Sequence, residues 1–374
     1  MSASTRPTAP VVRLDSLTSL RWWAAFAVFL FHMRNMITFP SWMHWFVEHG
    51  HYGVTFFFVL SGFVLTWSWR RETPVRAFYW RRFARIYPLH LLALLVAIPV
   101  FYRIVPPADQ GWIKPLDWGV LLLSVLVIQG WWRNPAIQFS GNPAAWTLTV
   151  EAFFYALHPL AVRLMAPLRK RGALWAAAGV IAVALLLKAA ALLWPATPLG
   201  DLRAPVSHLP EFLLGMLLAW AYRHGWRLRM PLILPFALLV GFLLAVTLTA
   251  GASGPAALVG SFAPELVGVL CALLIAAAAS RDLDGRRGWL VWRPFVALGE
   301  WSFAFYLIHA TLMYAMLELV GYQFGSYWRT LMWGGALLAA SIVAAWLMHR
   351  FVEKPLERRL RSWQDRRLAA RRGA

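Results

Sequence analysis

The sequence predicts an all-α fold: a polytopic helical membrane protein with about ten transmembrane helices plus one re-entrant or interfacial segment. Three observations predict it. Of the 374 residues, 60% are hydrophobic and only 14% charged, with a mean hydropathy of +0.58; soluble domains sit near half apolar and a quarter charged. Apolar stretches of membrane-spanning length recur from end to end. The net charge of +20 is gathered in short blocks between some of those stretches and is missing from others, as in proteins oriented against anionic lipid. The same placement excludes nucleic acid as a partner, because the basic blocks belong to no soluble domain.

The opening residues "MSASTRPTAPVVRLDSL" are polar and contain proline, and no small-residue cleavage site follows the first apolar run. Residues 1–16 therefore read as a cytoplasmic N-terminal segment, not a signal peptide. Eleven apolar stretches follow, near 17–36, 52–69, 86–103, 117–132, 143–167, 173–194, 207–222, 231–250, 263–280, 294–320 and 328–348. They make 17–350 the membrane domain and leave 351–374 as a basic cytoplasmic tail. Lys and Arg cluster in 70–86, 169–171, 223–229, 281–293 and the tail, whereas 37–51, 251–262 and 321–328 have neither. The basic loops belong in the cytoplasm.

Parity then poses a problem. Counting back from a cytoplasmic tail puts 133–142 outside, and counting forward from a cytoplasmic N-terminus puts 104–116 outside too. Segment 117–132 between them cannot cross once. It dips in and returns, or lies at the interface, which requires protein or a water-filled cavity around its backbone. Ten spans remain, with both termini inside a multi-pass protein of the cell membrane. Trp residues in "SWMHWF" and "QGWWRN" fit an aromatic belt. The single Cys271 reads as a small buried hydrophobe.

Within the first span, Arg21 and His32 are eleven apart, on one helix face and ~16 Å from each other along the axis. Arg21 either snorkels to the headgroups or faces a site. His32 is either a structural hydrogen-bonding group or a general base, for which neutral imidazole is the cheapest choice inside a membrane.

The segment holding them, "LDSLTSLRWWAAFAVFLFHM", resembles the opening of the acyltransferase 3 family, in which an Arg or Lys is followed by ten residues and then His. "GVTFFFVLSGFVL" (53–65), "RRFARIYPLH" (81–90), "WTLTVEAFFYALHP" (146–159), "LPEFLLGMLLA" (209–219), "LGEWSFAFYLIHA" (298–310) and "FVEKPLERRL" (351–360) are similar to its later blocks, in order over nearly the whole chain. Thr147 and Thr149 stand where Ser is common in the family. The resemblance is to actinomycete-type members, and a basic tail alone after 350 leads us to expect no extracellular hydrolase-like domain. It implies an O-acyltransferase that takes an acetyl or other short acyl group from cytoplasmic acyl-CoA. The implied acceptor is a hydroxyl of a carbohydrate, glycan or glycosylated natural product; macrolide sugars, envelope polysaccharide and peptidoglycan all remain open.

The resemblance singles out Arg82 and Arg85 among equally basic neighbours. On a helix their guanidiniums share a face and can converge on the phosphates of coenzyme A. Arg21 would join them at the donor site. In "GNPAAWTLTVE", Asn142 is a good N-cap and Pro143 suits the first helical position. Glu151 then sits ~13 Å into the helix, where a carboxylate needs a partner. It either orients His32, contacts the acceptor or makes a structural pair. Tyr155 and His158 share its face. Ser302, Tyr306 and His309 form a second polar stripe, structural or facing a cavity. Ser61-Gly62 reads as close helix packing, Asp15 as a helix cap or a polar contact, and Glu353-Lys354-Pro355 as the end of the last helix, paired with nearby Arg.

No close-spaced His or Cys set suggests a metal, and neither a Walker loop nor a dinucleotide fingerprint is present. Two other classes stay in view. A transporter or flippase of a lipid-linked sugar or acylated metabolite would be expected to show an inverted repeat. A purely structural membrane partner would not need Arg21, His32 and Glu151 at depth.

Overall fold

The computed structural model describes residues 12–370; residues 1–11 of the expected N-terminal segment and 371–374 of the tail lie outside them. The chain folds into α1 (Asp15–Met33), α2 (Gly53–Trp67), α3 (Val75–Phe101), a short α4 (Trp118–Val125), α5 (Trp146–Met165), α6 (Lys170–Leu193), α7 (Leu209–Arg223), α8 (Ile233–Leu248), α9 (Ala263–Leu283), α10 (Arg293–Val320), α11 (Tyr327–Met348) and α12 (Lys354–Ala370). Among the described residues, seven helices are long and apolar enough to cross a membrane. Adding α1, with its Arg21, and the shorter α7 and α8 gives the ten helices that the sequence predicts. The protein is a multi-pass helical membrane protein.

Neighbouring helices run in the senses that ten alternating crossings require. Helices α1 and α10 are parallel: Gly299 abuts the Thr18 carbonyl, Trp22 meets Phe305, and Phe29 meets His309. Helices α2 and α7 are also parallel, from Phe58 on His208 to the Thr66 carbonyl, which accepts from Arg223. Helices α3 and α5 are antiparallel. At one end Tyr79 Oη donates to the Ala156 carbonyl at 3.0 Å; at the other the Gly141 N–H, just before α5, donates to Tyr102 Oη at 2.6 Å.

That antiparallel pair resolves the parity problem. Had 117–132 crossed once, α5 would run parallel to α3. Instead α4 is only 8 residues long, ~12 Å against a hydrocarbon core of ~30 Å. The chain then turns back through Val127, whose φ of 59° is rare for a β-branched residue. Trp118, Leu122 and Leu126 of this segment are exposed.

Two glycines seat α2 against α7. A Cβ on Gly62 would stand 2.1 Å from the Phe212 carbonyl oxygen, and one on Gly215 would stand 1.9 Å from that of Val59. Ser61-Gly62 therefore marks close helix packing, as small residues do in membranes. Replacing Gly215 with Ala forces the helices apart and is expected to cost ~1–3 kcal/mol, read as a lowered Tm of the detergent-solubilised protein.

The C-terminal helix departs from expectation. Glu353-Lys354-Pro355 does not end α11; a π-helical turn, His349–Glu353, joins it to α12. The reason lies in the wider turn. A proline breaks a helix by clashing with the carbonyl four residues back, here that of Phe351, which belongs to the π turn and lies out of α register. Helix α12 lies along the start of α3, where Trp80 Nε1 donates to the Leu360 carbonyl at 2.8 Å. Glu300 accepts from Arg13 at 2.8 Å and pairs with Lys354 at 3.6 Å. The two ends of the described chain thus meet at one end of the bundle, called here the basic end.

Candidate active site

Five helices wall a cavity of about 130 Å³ that starts near the basic end. Helix α1 contributes Arg21, α3 contributes Arg82 and Arg85, α5 contributes Thr147, Glu151 and Tyr155, and α10 contributes Glu300, Ser302 and Tyr306, with the Ser61 face of α2 opposite. Seven of the residues singled out in the sequence therefore converge: Arg21, Arg82, Arg85, Glu151, Tyr155, Ser302 and Tyr306. Local helix geometry brings part of this together. Arg82 and Arg85 are one turn apart on α3, and Tyr155, one turn after Glu151, donates its hydroxyl to Glu151 Oε2 at 3.2 Å. Asn142 caps the turn before α5 by accepting from the Ala144 N–H, and its amide also donates to the Leu307 carbonyl at 2.6 Å. That second bond ties the start of α5 to α10.

The charges in the cavity are mutually compensating. Glu353, Glu357 and Glu151 act on Arg85, while Arg85, Arg21 and Arg82 act on Glu151. Glu353 also accepts from His349, Nδ1 to Oε2, at 2.9 Å. This carboxylate is legible in the sequence as an Arg partner, but its electrostatic action on Arg85 is not. Arg82 differs from the other two. Its guanidinium lies 5.9 Å from the Phe78 ring, and its Nε is buried with no hydrogen-bond partner among the described residues. A buried donor left open is rare and fits a place for an acceptor-rich ligand.

Farther along α10 the polar stripe leaves the cavity. Thr147 Oγ1, which donates to the Ala144 carbonyl, stands 3.2 Å from Tyr306 Oη. One turn on, His309 is fully buried, and its ring lies 5.4 Å from that of His32, centroid to centroid. The His309 Nδ1 lies 2.7 Å from the Tyr306 carbonyl oxygen. A carbonyl only accepts, so Nδ1 carries the proton and the lone pair is on Nε2. That Nε2 is buried and has no partner among the described residues. His32 and His309 thus do not line the cavity; they form a buried histidine pair with one unpartnered lone pair, packed behind Tyr306 of the cavity wall.

Two expectations need correcting. Glu151 does not orient His32: its electrostatic neighbours are the three arginines and Tyr155, while the charged neighbour of His32 is Arg34. The two differ in level, since His32 lies in the last turn of α1 and Glu151 lies level with Arg21. His158 does not line the cavity. It is on the Glu151 face but ~10 Å farther along the axis, fully buried, with Nε2 3.2 Å from Thr66 Oγ1 and its ring stacked on Phe78 at 5.1 Å. Replacing His158 with Ala is expected to lower the Tm, while the activity per folded molecule stays within about twofold of wild type; a catalytic role would instead show as a collapse of kcat.

A family model described as an acyltransferase domain matches residues 14–350. The acyltransferase MdmB of Streptomyces mycarofaciens is 36% identical over 94% of this chain and 93% of its own length. The peptidoglycan O-acetyltransferase OatA of Listeria monocytogenes is 28% identical over 39% of this chain, a stretch that covers 24% of OatA. No solved structure matches the chain.

Proposed function

The chain belongs to the acyltransferase family whose domain spans residues 14–350, and from that premise we propose that it moves an acetyl or other short acyl group from acyl-CoA to a hydroxyl of a carbohydrate or glycosylated natural product. The observation that carries this reading is the convergence of Arg21, Arg82 and Arg85 on one cavity, with Tyr306 in its wall packed 5.7 Å, ring to ring, from His309 of the His32–His309 pair. The basic end faces the cytoplasm in this reading, where anionic acyl-CoA is found.

The cavity is narrow, so the nucleotide of the donor stays at its mouth. Arg82, with its open Nε, and Arg85 bind the phosphates, and Arg21 attracts them from α1. The thin pantetheine arm carries the thioester inward past Glu151 and Tyr155. At the histidine pair a lone-pair nitrogen takes the proton of the acceptor hydroxyl as its oxygen attacks the thioester carbonyl. The carbon–sulfur bond breaks, and the coenzyme leaves as its thiol with a proton. In the alternative order the imidazole nitrogen attacks the thioester first and expels the coenzyme as its thiol; the acceptor hydroxyl then attacks the acyl-imidazole, its proton passes to the second histidine, and the imidazole leaves. Ping-pong kinetics and an isolable acyl-protein mark the second order; a ternary-complex pattern marks the first.

Donor binding tests the cavity assignment. Titration of the purified protein with coenzyme A is expected to show saturable binding that weakens with salt, and Arg82→Ala/Arg85→Ala is expected to weaken it at least about tenfold. Equal affinity in wild type and the double variant would remove the arginines from the donor site. Acyl-CoA that is bound but never consumed, together with movement of an acylated or sugar-linked solute across vesicles, would favour a transporter.

A further inference from the structure

A second cavity lies away from the arginine site, and its volume is about 790 Å³. It separates the outer half of α6 from α7 and α9. Helix α6 permits this because, of its 24 residues, only Ala173 and Ala177 are buried. The walls are mostly apolar and include Val183 and Leu187, but the end farthest from the basic end is polar, with Lys188, His208, Glu211 and Glu265.

Glu211 is 8% exposed. Its Oε1 accepts from His208 Nδ1 at 3.1 Å, while its Oε2 has no partner among the described residues. Glu265 Oε2 is likewise buried and without a partner among the described residues; Lys188 is the opposite charge that acts on it most. Two open carboxylate oxygens beside an apolar cleft are costly unless something donates to them. An ionised carboxylate can only accept. Two carboxylates against one lysine also repel an anionic lipid headgroup.

We propose that this cleft binds an amphiphile whose headgroup donates hydrogen bonds, a sugar polyol or a protonated amine, with its apolar part along α6. Glu211 and Glu265 take the headgroup donors, and Val183 and Leu187 flank the apolar portion. A glycosylated acceptor is such an amphiphile. That the ligand is the acyl acceptor rests on the acyltransferase reading; the affinity of the cleft does not.

The test is photocrosslinking of the full-length protein, purified in an amine-oxide detergent, which has no donor headgroup. The probe is a dodecyl maltoside with a diazirine in its chain, and labelled peptides are mapped by mass spectrometry. Label is expected within 176–191 and 264–269. Excess unlabelled dodecyl maltoside or dodecylamine should compete, and dodecylphosphocholine, which has no donor, should not. If only the maltoside competes the ligand is a polyol; if the amine competes more strongly it is a cation. Both outcomes support a donor headgroup. Glu211→Gln/Glu265→Gln should reduce labelling about tenfold or more. Should that variant fail to fold, Val183→Trp, at an exposed position, narrows the apolar part of the cleft with the carboxylates intact and should reduce label severalfold. Label elsewhere in the chain, equal competition by the phosphocholine, or unchanged labelling in the folded variants would overturn the proposal. Specific labelling without any acyl transfer would leave the binding site standing and refute only the acceptor assignment.

Discussion

Replacing His32 or His309 with Ala is expected to lower kcat for acyl transfer by ~10²–10⁴, the usual worth of a positioned acid–base group, while the donor KM stays near its wild-type value. The expectation rests on two facts of geometry. The rings of His32 and His309 are 5.4 Å apart, and the Tyr306 carbonyl commits the Nδ1 proton of His309, leaving Nε2 without a partner among the described residues. A merely structural histidine would reduce the amount of folded protein and leave the turnover of the folded fraction alone. The measurement is steady-state kinetics on the monodisperse fraction of each variant. Wild-type kcat in His309→Ala would confine the chemistry to His32; wild-type kcat in both would remove the pair from the reaction.

The second large effect is expected at Arg85, and it falls on stability as well as on binding. Glu353, Glu357 and Glu151 all act on this guanidinium. Arg85→Ala removes the cation that offsets these carboxylates; because Glu353 keeps His349 and Glu357 keeps Arg361, the loss is expected at ~1–3 kcal/mol. The detergent-solubilised variant should show a markedly lower Tm and a raised donor KM. Arg85→Lys restores a charge but not the planar fork, so it should recover more stability than donor affinity. In a double-mutant cycle, Glu353→Gln should cost less on the Arg85→Ala background than alone. Additive losses would mean that Arg85 and Glu353 do not interact.

Much of this was legible in the sequence because the relevant signals are local or compositional. Apolar length located the ten helices, and loop charge exposed 117–132 as a segment that does not cross, either re-entrant or interfacial. The structure adds the physical proof in the antiparallel run of α3 and α5. Helical spacing paired Arg82 with Arg85 and Glu151 with Tyr155. What spacing could not supply was contact between distant segments. Nothing near Glu353 indicates that it acts on Arg85, and nothing near His309 names His32. The Glu151–His32 pairing failed for the same reason: a residue's level in the bundle is set by the crossing helices, not by its own. Pro355 misled because a proline stop assumes α register, and the π turn before it alters that register. The unpartnered carboxylates of Glu211 and Glu265 had no sequence signature, since an open hydrogen-bonding site is visible only when its surroundings are.

The most direct measurement is transfer of label from [acetyl-¹⁴C]acetyl-CoA by the purified protein, compared for wild type, His32→Ala and Arg82→Ala/Arg85→Ala. Wild type should release or transfer the acetyl label. His32→Ala should bind the donor but leave it intact, and the double-arginine variant should react only at raised donor concentration. Label consumed equally by all three proteins, or by none across short acyl-CoA donors and sugar acceptors, would contradict the proposed acyl transfer through this site.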